Sequence, residues 1–160
     1  MELLKVLESK AKIRFQDCDP FNHLNNAAYI NYMINAREDQ IDKFYNLDIF
    51  ELAKTQGISW VVSTNQIAYL KPALLMEEVI IDSQLRKFTE NELHVEIRMW
   101  NHDKTVLKAV LWSTFVHFNL LQQKRWNHNE ELIKLFDAIE KPITEKTFEE
   151  RILKLKPQKV

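Results

Sequence analysis

The chain contains very little glycine and cysteine. Among its 160 residues, Gly57 is the only glycine and Cys18 the only cysteine. Walker loops and dinucleotide-binding fingerprints need several glycines, because the backbone has to approach phosphate closely, so both kinds of nucleotide site are excluded. A single cysteine excludes an internal disulfide and a zinc site built from several cysteines, and it agrees with a reducing compartment. We therefore expect a cytoplasmic protein.

The chain also lacks an excess of charge and a long apolar run. The 22 basic and 23 acidic residues nearly cancel, so no broad attraction to nucleic acid or to an anionic membrane is expected. No run is long enough to cross a bilayer, and the N-terminus has no apolar segment of signal-peptide length. We expect neither nucleic acid nor membrane among the partners.

Length and composition favour one domain covering residues 1–160. An apolar content of 46% suits a chain that buries a single core. There is no internal repeat, low-complexity tract or linker rich in proline, glycine or serine. We place the core at about 10–121 and a C-terminal helical extension at about 127–155.

Periodicity predicts one strand followed by a long helix. The run AKIRFQ, after Lys10, alternates apolar and polar residues as a half-buried strand does. From about Asn26 to Tyr45, a stripe of residues recurs at intervals of three and four, as on one side of a helix. The stripe consists of Ile30, Met33, Ile34, Arg37, Ile41, Phe44 and Tyr45. A shorter helical segment follows at about 49–54.

The second half of the chain predicts an antiparallel sheet. Four β-rich runs, at 58–70, 77–87, 92–101 and 105–121, are joined by short links that suit hairpins. The last run is apolar on nearly both sides, so we expect it to be central. Two amphipathic segments, at 129–139 and 144–155, predict peripheral helices, the second capped by Thr144. The predicted fold class is α+β, with about five antiparallel strands around one long helix.

Polar residues are concentrated just before the long helix. The segment IRFQDCDPFNHLNNAAY brings two carboxylates, a histidine and three asparagines close together. Asn25 or Asn26 can cap the helix, whose free N–H groups favour a negatively charged oxygen nearby. Asp19 and His23 lie in the same turn. Alternatively, Asp17 and Asp19 are turn residues that accept backbone N–H bonds, and this is the interpretation we prefer for Asp17.

This layout resembles the hot-dog thioesterases of the 4-hydroxybenzoyl-CoA thioesterase and acyl-CoA thioesterase kind. The resemblance rests on the motif D-x-D-x-x-x-H-x-N-N-x-x-Y, then a long helix and four strands, and it covers about 10–119. The run VVSTNQIAYLKPALLMEE also resembles the family's second strand and following turn. The resemblance implies an antiparallel sheet wrapped around the helix. It also implies a homodimer or homotetramer with thioester sites between subunits.

The resemblance assigns roles to the residues of the motif. Asp19 matches the family's catalytic carboxylate and is expected to act as general base for water or as nucleophile. His23 would polarise the carbonyl, orient water or fix the turn. The backbone N–H of Asn26 would form the oxyanion site, beside the cap provided by Asn25. Tyr29 resembles a family tyrosine, although an aromatic residue at helical spacing is more often part of the core.

Further substrate contacts are expected outside the motif. The resemblance implies that polar residues of the partner's second strand, here Ser63, Thr64 or Asn65, help to place the acyl group or water. Small and β-branched residues are equally well explained as ordinary strand residues. Lys71 resembles a position where basic residues meet the phosphates of coenzyme A, although surface lysines in general serve solubility.

The sequence departs from the family pattern at two positions. Asn22 replaces a glycine that precedes the histidine in many relatives, which predicts a shifted turn. Phe21 replaces the asparagine of plant-type carrier-protein thioesterases, which favours a coenzyme A thioester.

The predicted function is hydrolysis of acyl-CoA thioesters to free acid and CoA. We expect no metal, and no cofactor beyond the CoA of the substrate. The alternatives are a dehydratase or hydratase of the same fold, a non-catalytic acyl-CoA binding module, and a structural oligomer without a ligand. The sequence does not select the acyl chain.

Overall fold

A computed structural model of the chain describes residues 2–156. Its regular elements appear along the chain as one strand, two helices, five strands and two further helices. The strands are β1 (Val6–Lys12), β2 (Ile58–Tyr69), β3 (Glu78–Phe88), β4 (Glu92–Trp100), β5 (Leu107–Asn119) and β6 (Lys124–Arg125). The helices are α1 (Tyr29–Tyr45), α2 (Ile49–Gln56), α3 (Glu130–Ile139) and α4 (Phe148–Leu155). No described helix is long and apolar enough to cross a membrane.

The strands form one antiparallel sheet in the order β1-β3-β4-β5-β2. The short β6 pairs with the end of β5. β2 is an edge strand, paired only with β5 among the described residues, and its middle is exposed. β5 lies inside the sheet, as its apolar sequence predicts.

The sheet has an inner face that packs against α1 and an outer face. In β4, Leu93, Val95, Ile97 and Met99 join the main core, which also contains Met33 of α1. Their neighbours in sequence lie on the outer face, because successive side chains of a strand point to opposite sides. This arrangement confirms the predicted antiparallel sheet around a long helix.

The start of the long helix and the first strand differ in detail from the prediction. A short 3-10 helix covers Asn26–Ala28, and the regular α-helix begins at Tyr29. β1 ends at Lys12, so the predicted strand from Lys10 begins too late and extends too far. The segment Phe15–Asp17 is a second 3-10 helix, in which Phe15 is 75% exposed. An alternating pattern cannot distinguish such an exposed aromatic from a buried one.

The C-terminal helices are more integrated than predicted. Leu132, Phe136 and Ile139 of α3 are buried in the main core, so the expectation that this helix is peripheral is wrong. α4 begins later than predicted, and the oxygen of its cap, Thr147, accepts a hydrogen bond from the N–H of Glu150. The predicted cap at Thr144 is therefore wrong.

A buried network of charges joins α4 to the outer face of the sheet. Glu96 is fully buried and accepts hydrogen bonds from Arg98, from Arg151 of α4 and from the indole N–H of Trp112. Burial of Glu96 opposes its ionised form. The hydrogen bond from Arg151 and the charge of Arg98 outweigh this effect and hold the pKa of Glu96 below its ordinary value.

Candidate active site

The turn before α1 is organised around the carboxylate of Asp19. Its Oδ1 accepts hydrogen bonds from the backbone N–H groups of Phe21 (2.9 Å) and His23 (3.1 Å). Its own N–H donates to the carbonyl of His23 at 2.8 Å. Within residues 2–156, Oδ2 accepts no hydrogen bond. The turn therefore holds one carboxylate oxygen and leaves the other available.

Asn22 adopts the left-handed conformation that the turn requires. Its φ is 62°, and its N–H donates to the carbonyl of Asp19 at 3.0 Å. Asparagine tolerates this conformation better than most other non-glycine residues. The departure from glycine is therefore compatible with a closed turn.

The start of the helix offers one free backbone donor. The side-chain oxygen of Asn25 accepts from the N–H of Ala27 at 3.1 Å, which makes Asn25 the cap of the 3-10 segment. The N–H of Asn25 donates to the carbonyl of Asp17. The N–H of Asn26 has no acceptor in the described part of the chain. It is the donor that the sequence predicts for an oxyanion.

A cleft of about 300 Å³ connects this turn with the end of β2. It contains five of the eight residues predicted for the site, together with four that were not predicted. The predicted ones are Asp19, His23, Asn26, Tyr29 and Lys71; the others are Leu24, Tyr69, Leu70 and Pro72. The structure thus gathers residues from the turn, the helix start and the strand end.

Two tyrosines support the walls of the cleft. Tyr29 is only 2% exposed, and its hydroxyl accepts from the N–H of Ala73 at 3.0 Å. Burial raises the pKa of Tyr29, so this hydroxyl stays neutral. Tyr69 packs edge-on against Tyr29, with ring centroids 5.1 Å apart, and its hydroxyl donates to the carbonyl of Asn26 at 3.0 Å. This hydrogen bond from Tyr69 links the end of β2 to the start of the helix.

Asp17 has a different environment from Asp19. Its Oδ2 accepts a hydrogen bond of 2.6 Å from the hydroxyl of Tyr32, which in turn accepts from the N–H of Arg14 at 3.0 Å. Asp17 is not among the residues that line the cleft. These contacts give Asp17 a structural role, as the sequence predicts.

The polar residues in the middle of β2 lie outside the cleft. A register shift separates Val62 from Thr64, and the hydroxyl of Ser63 there donates to the carbonyl of Thr114 at 3.2 Å. Thr64 pairs with Thr114, which pairs with His94 on the outer face. Thr64 thus lies on the face opposite α1.

Asn65, one position further along β2, lies on the inner face. Its side-chain oxygen accepts from the hydroxyl of Ser113 at 2.7 Å, and Ser113 pairs with Val95 of the inner face. Of the three polar residues predicted from this strand, Asn65 is the one on the side of the cleft.

Comparison with known proteins assigns the family. The family model of the thioesterase-like superfamily matches residues 13–143. This chain belongs to the thioesterase-like superfamily. Together with the fold, the match confirms the predictions of a hot-dog thioesterase and of an enzyme. The helix α4 lies beyond the matched residues.

Individual relatives agree with this assignment. The thioesterase is 30% identical over 120 residues to the long-chain acyl-CoA thioesterase FadM of Escherichia coli strain K12, covering 74% of this chain and 87% of FadM. The crystal structure of YbaW, a probable thioesterase from Escherichia coli, has a TM-score of 0.71 and 27% identity, covering 84% of this chain and 99% of YbaW.

A third relative shares the fold at lower identity. The structure of a hypothetical protein from Staphylococcus aureus in complex with CoA has a TM-score of 0.76 and 14% identity to this thioesterase, covering 91% of this chain and 92% of that protein. At this level of identity the comparison shows the fold alone.

Sequence reasoning did not select Tyr69 as a site residue of this thioesterase. It is separated from Asn26 by 43 residues, and their contact forms only when the end of β2 reaches the start of the helix. A tyrosine at the end of a strand carries no local signal that distinguishes it from any other strand aromatic.

Proposed function

We propose that this thioesterase hydrolyses acyl-CoA thioesters with the carboxylate of Asp19 as its catalytic group. The observation that supports this most strongly is the turn itself. Two backbone N–H groups hold Oδ1 of Asp19, Oδ2 is available, and Asn26, whose N–H is free within residues 2–156, lines the same cleft. A carboxylate and an oxyanion donor are the two groups that attack on a thioester carbonyl requires.

The proposed reaction begins with the carbonyl oxygen directed at the N–H of Asn26. Asp19 accepts a proton from a water molecule as that water attacks the carbonyl carbon. The negative charge that develops on the carbonyl oxygen is stabilised by the N–H and by the positive end of the helix. The carbon–sulfur bond then breaks, and the departing thiolate takes the proton from Asp19, so that free acid and CoA thiol are released and the carboxylate is restored.

The same geometry also allows the carboxylate of Asp19 to attack the thioester carbonyl directly. The carboxylate would displace CoA to give an acyl–aspartyl anhydride, which water then hydrolyses to free acid and restored carboxylate. Both courses use the same free oxygen of Asp19, and neither requires a metal or a cofactor other than the CoA of the substrate. His23 lines the cleft, where its ring can orient the carbonyl or the water.

The end of β2 supplies the proposed CoA contact. Lys71 is exposed and lines the cleft, so its ammonium group can meet a phosphate of CoA. The relative FadM is named a long-chain acyl-CoA thioesterase, which supports both a CoA carrier and a long acyl chain here.

We further propose that two copies pair through β2. This edge strand is exposed from Val61 to Gln66, and Val61 and Val62 are each 44% exposed. An open strand edge with apolar side chains is a ready partner for another strand. Pairing would bring Ser63, Thr64 and Asn65 of each copy to the shared edge, between the two clefts.

The test is a panel of acyl-CoA thioesters of increasing chain length, with thiol release measured for the purified protein. We expect turnover by the wild type and a fall of at least about a hundredfold in Asp19→Asn. Asp17→Asn is the matched control, since it removes a neighbouring carboxylate outside the cleft. Ligand-induced thermal stabilisation without thiol release would instead identify a binding module. Full turnover by Asp19→Asn would refute the role of Asp19.

A further inference from the structure

A second, mostly apolar cavity lies between the second half of α1 and the inner face of the sheet. Its volume is about 130 Å³. The lining is aliphatic and aromatic, apart from Arg37 and Glu38 of α1. Representative lining residues are Ile34, Ile41, Leu93, Val95 and Phe115. A cavity with such a lining is suited to a hydrocarbon chain.

Arg37 is an unusual residue for such a cavity. It is 7% exposed, and its Nη1 donates to the hydroxyl of Ser83 at 3.0 Å. Within residues 2–156, no carboxylate oxygen lies within 4.0 Å of its guanidinium group, although Glu38 lines the same cavity. Burial lowers the pKa of Arg37 to about 10, so the side chain is still a cation at neutral pH.

The inner core holds this arginine in place from one side. The hydroxyl of Ser83 donates to the side-chain oxygen of Gln40 at 2.6 Å. The amide nitrogen of Gln40 donates to the hydroxyl of Ser9 at 2.8 Å and to the carbonyl of Ile81 at 2.9 Å. This series of hydrogen bonds ends in β1 and β3 and uses one of the five N–H donors of Arg37. The ring of Tyr45, which also lines the cavity, lies 6.0 Å from the guanidinium carbon.

A buried cation without a counter-charge is costly, and an apolar residue of similar volume would fill the position without that cost. The group that would balance the charge of Arg37 is an anionic oxygen. A carboxylate fits best, because its two oxygens can accept two parallel hydrogen bonds from a guanidinium group. No carboxylate of residues 2–156 supplies it, which leaves water or a bound ligand in the cavity as its source.

We propose that Arg37 binds a carboxylate at the far end of the acyl chain, so that the enzyme prefers ω-carboxyacyl-CoA substrates. This inference rests on the proposed acyl-CoA hydrolysis. β2 runs beside both cavities, with Tyr69 at the cleft and Trp60 and Val62 at the apolar cavity. The exposed middle of β2 lies between them, at the edge where we propose that a second copy pairs.

The spacing along α1 sets the length of the chain. Arg37 follows Asn26 by eleven residues, a distance of about 18 Å when the 3-10 segment rises about 2.0 Å per residue and α1 about 1.5 Å. The side chain of a helical residue leans towards the N-terminus, which shortens this distance. Bonds of about 1.5 Å at tetrahedral angles advance an extended chain by about 1.25 Å per carbon, so roughly ten to twelve carbons span the shortened distance.

The experiment compares dodecanedioyl-CoA, in which one carboxyl is the thioester, with dodecanoyl-CoA. We expect the wild type to show a kcat/KM at least about tenfold higher for the ω-carboxy substrate, since a charge-assisted bidentate contact is lost with the plain chain. In Arg37→Met this ratio should fall to one or below. Lys43→Met, which removes an exposed cation from the same helix, should keep the wild-type ratio.

Two further measurements keep the inference testable. Free dodecanedioate should raise the wild-type melting temperature more than dodecanoate does, a readout that does not depend on hydrolysis. If Arg37→Met does not fold, Ser83→Ala should weaken the same preference by loosening the guanidinium. A wild type that shows equal or lower activity with the ω-carboxy substrate overturns the role of Arg37. Absence of hydrolysis with every acyl-CoA, by contrast, overturns the proposed function.

Discussion

Two substitutions of Asp19 separate its chemistry from its place in the turn. Its Oδ1 accepts two backbone hydrogen bonds, from Phe21 and His23. A hydrogen bond of this kind contributes about 0.5–1.5 kcal/mol to stability. Asp19→Ala removes both acceptor contacts, so we expect the free energy of unfolding to fall by about 1–3 kcal/mol. Asp19→Asn retains an acceptor oxygen, and we expect a loss below about 1 kcal/mol.

The expected effects on turnover follow a different order. A positioned general base contributes about 10²–10⁴ in rate, which corresponds to about 3–5 kcal/mol of activation free energy. Neither alanine nor asparagine carries the charge, so both variants should lose this contribution equally. Urea titration measures the stability of each variant, and thiol release from saturating acyl-CoA measures kcat.

The test compares how the two variants rank in stability with how they rank in turnover. If the asparagine variant keeps more than about a tenth of the activity, and the alanine variant loses activity in step with its stability, Asp19 is only a turn residue. Asp17→Asn serves as the control. It weakens the 2.6 Å contact with the hydroxyl of Tyr32, so a loss of about 1 kcal/mol in stability with little change in kcat is expected.

Three further predictions concern contacts around the site and in the core. Tyr69→Phe removes the donor to the carbonyl of Asn26, so kcat from thiol release should fall by about two- to tenfold; an unchanged kcat would contradict this. Glu96→Gln leaves Arg151 without its buried partner, so urea titration should show a loss of about 3–5 kcal/mol, and a loss below about 1 kcal/mol would argue against a stabilising network. Burial lowers the pKa of His128 to about 4, below its unfolded value of 6.5. The unfolded state therefore binds the proton more readily, and the free energy of unfolding should fall by about 3 kcal/mol as the pH decreases from 6.5 to 4. Urea titrations across this range should show a shallower fall in His128→Gln, and an identical fall would refute the assignment.

Periodicity predicted the long helix and the four later strands because their patterns are strong and continuous. β2 and β4 each end one residue earlier than predicted, and α1 ends at Tyr45 as predicted. The first strand was misplaced because Phe15 extends the apolar alternation, although it is exposed in a 3-10 helix. A sequence pattern records which residues are apolar, and it does not record which of them the fold covers.

The candidate site was predictable where it is local. Asp19, His23 and Asn26 lie within eight consecutive residues, and a turn followed by a helix start brings such residues together in any fold. Lys71 was found only through the family resemblance. Tyr69 was missed because its contact with Asn26 depends on how the sheet wraps the helix.

The environment of Arg37 was likewise not predictable from the sequence. It falls within the helical stripe, which predicts that it is buried. The stripe does not show that Ser83, 46 residues away, holds one end of the guanidinium, or that an apolar cavity adjoins it. Long-range contacts of this kind decide whether a buried cation is a structural residue or part of a binding site.

The helix α3 forms part of the wall of the apolar cavity, which its predicted peripheral position does not imply. Phe136, which is 1% exposed, and Ile139 both line the apolar cavity that contains Arg37. The helix α3 therefore closes part of the cavity. The length of the cavity depends on how α3 packs against Leu85 of β3. Because interiors are closely packed, a change of one methylene in these residues alters the space left for a ligand. If the acyl chain occupies this cavity, as we propose, chain-length selection should depend on α3, far in sequence from Asp19.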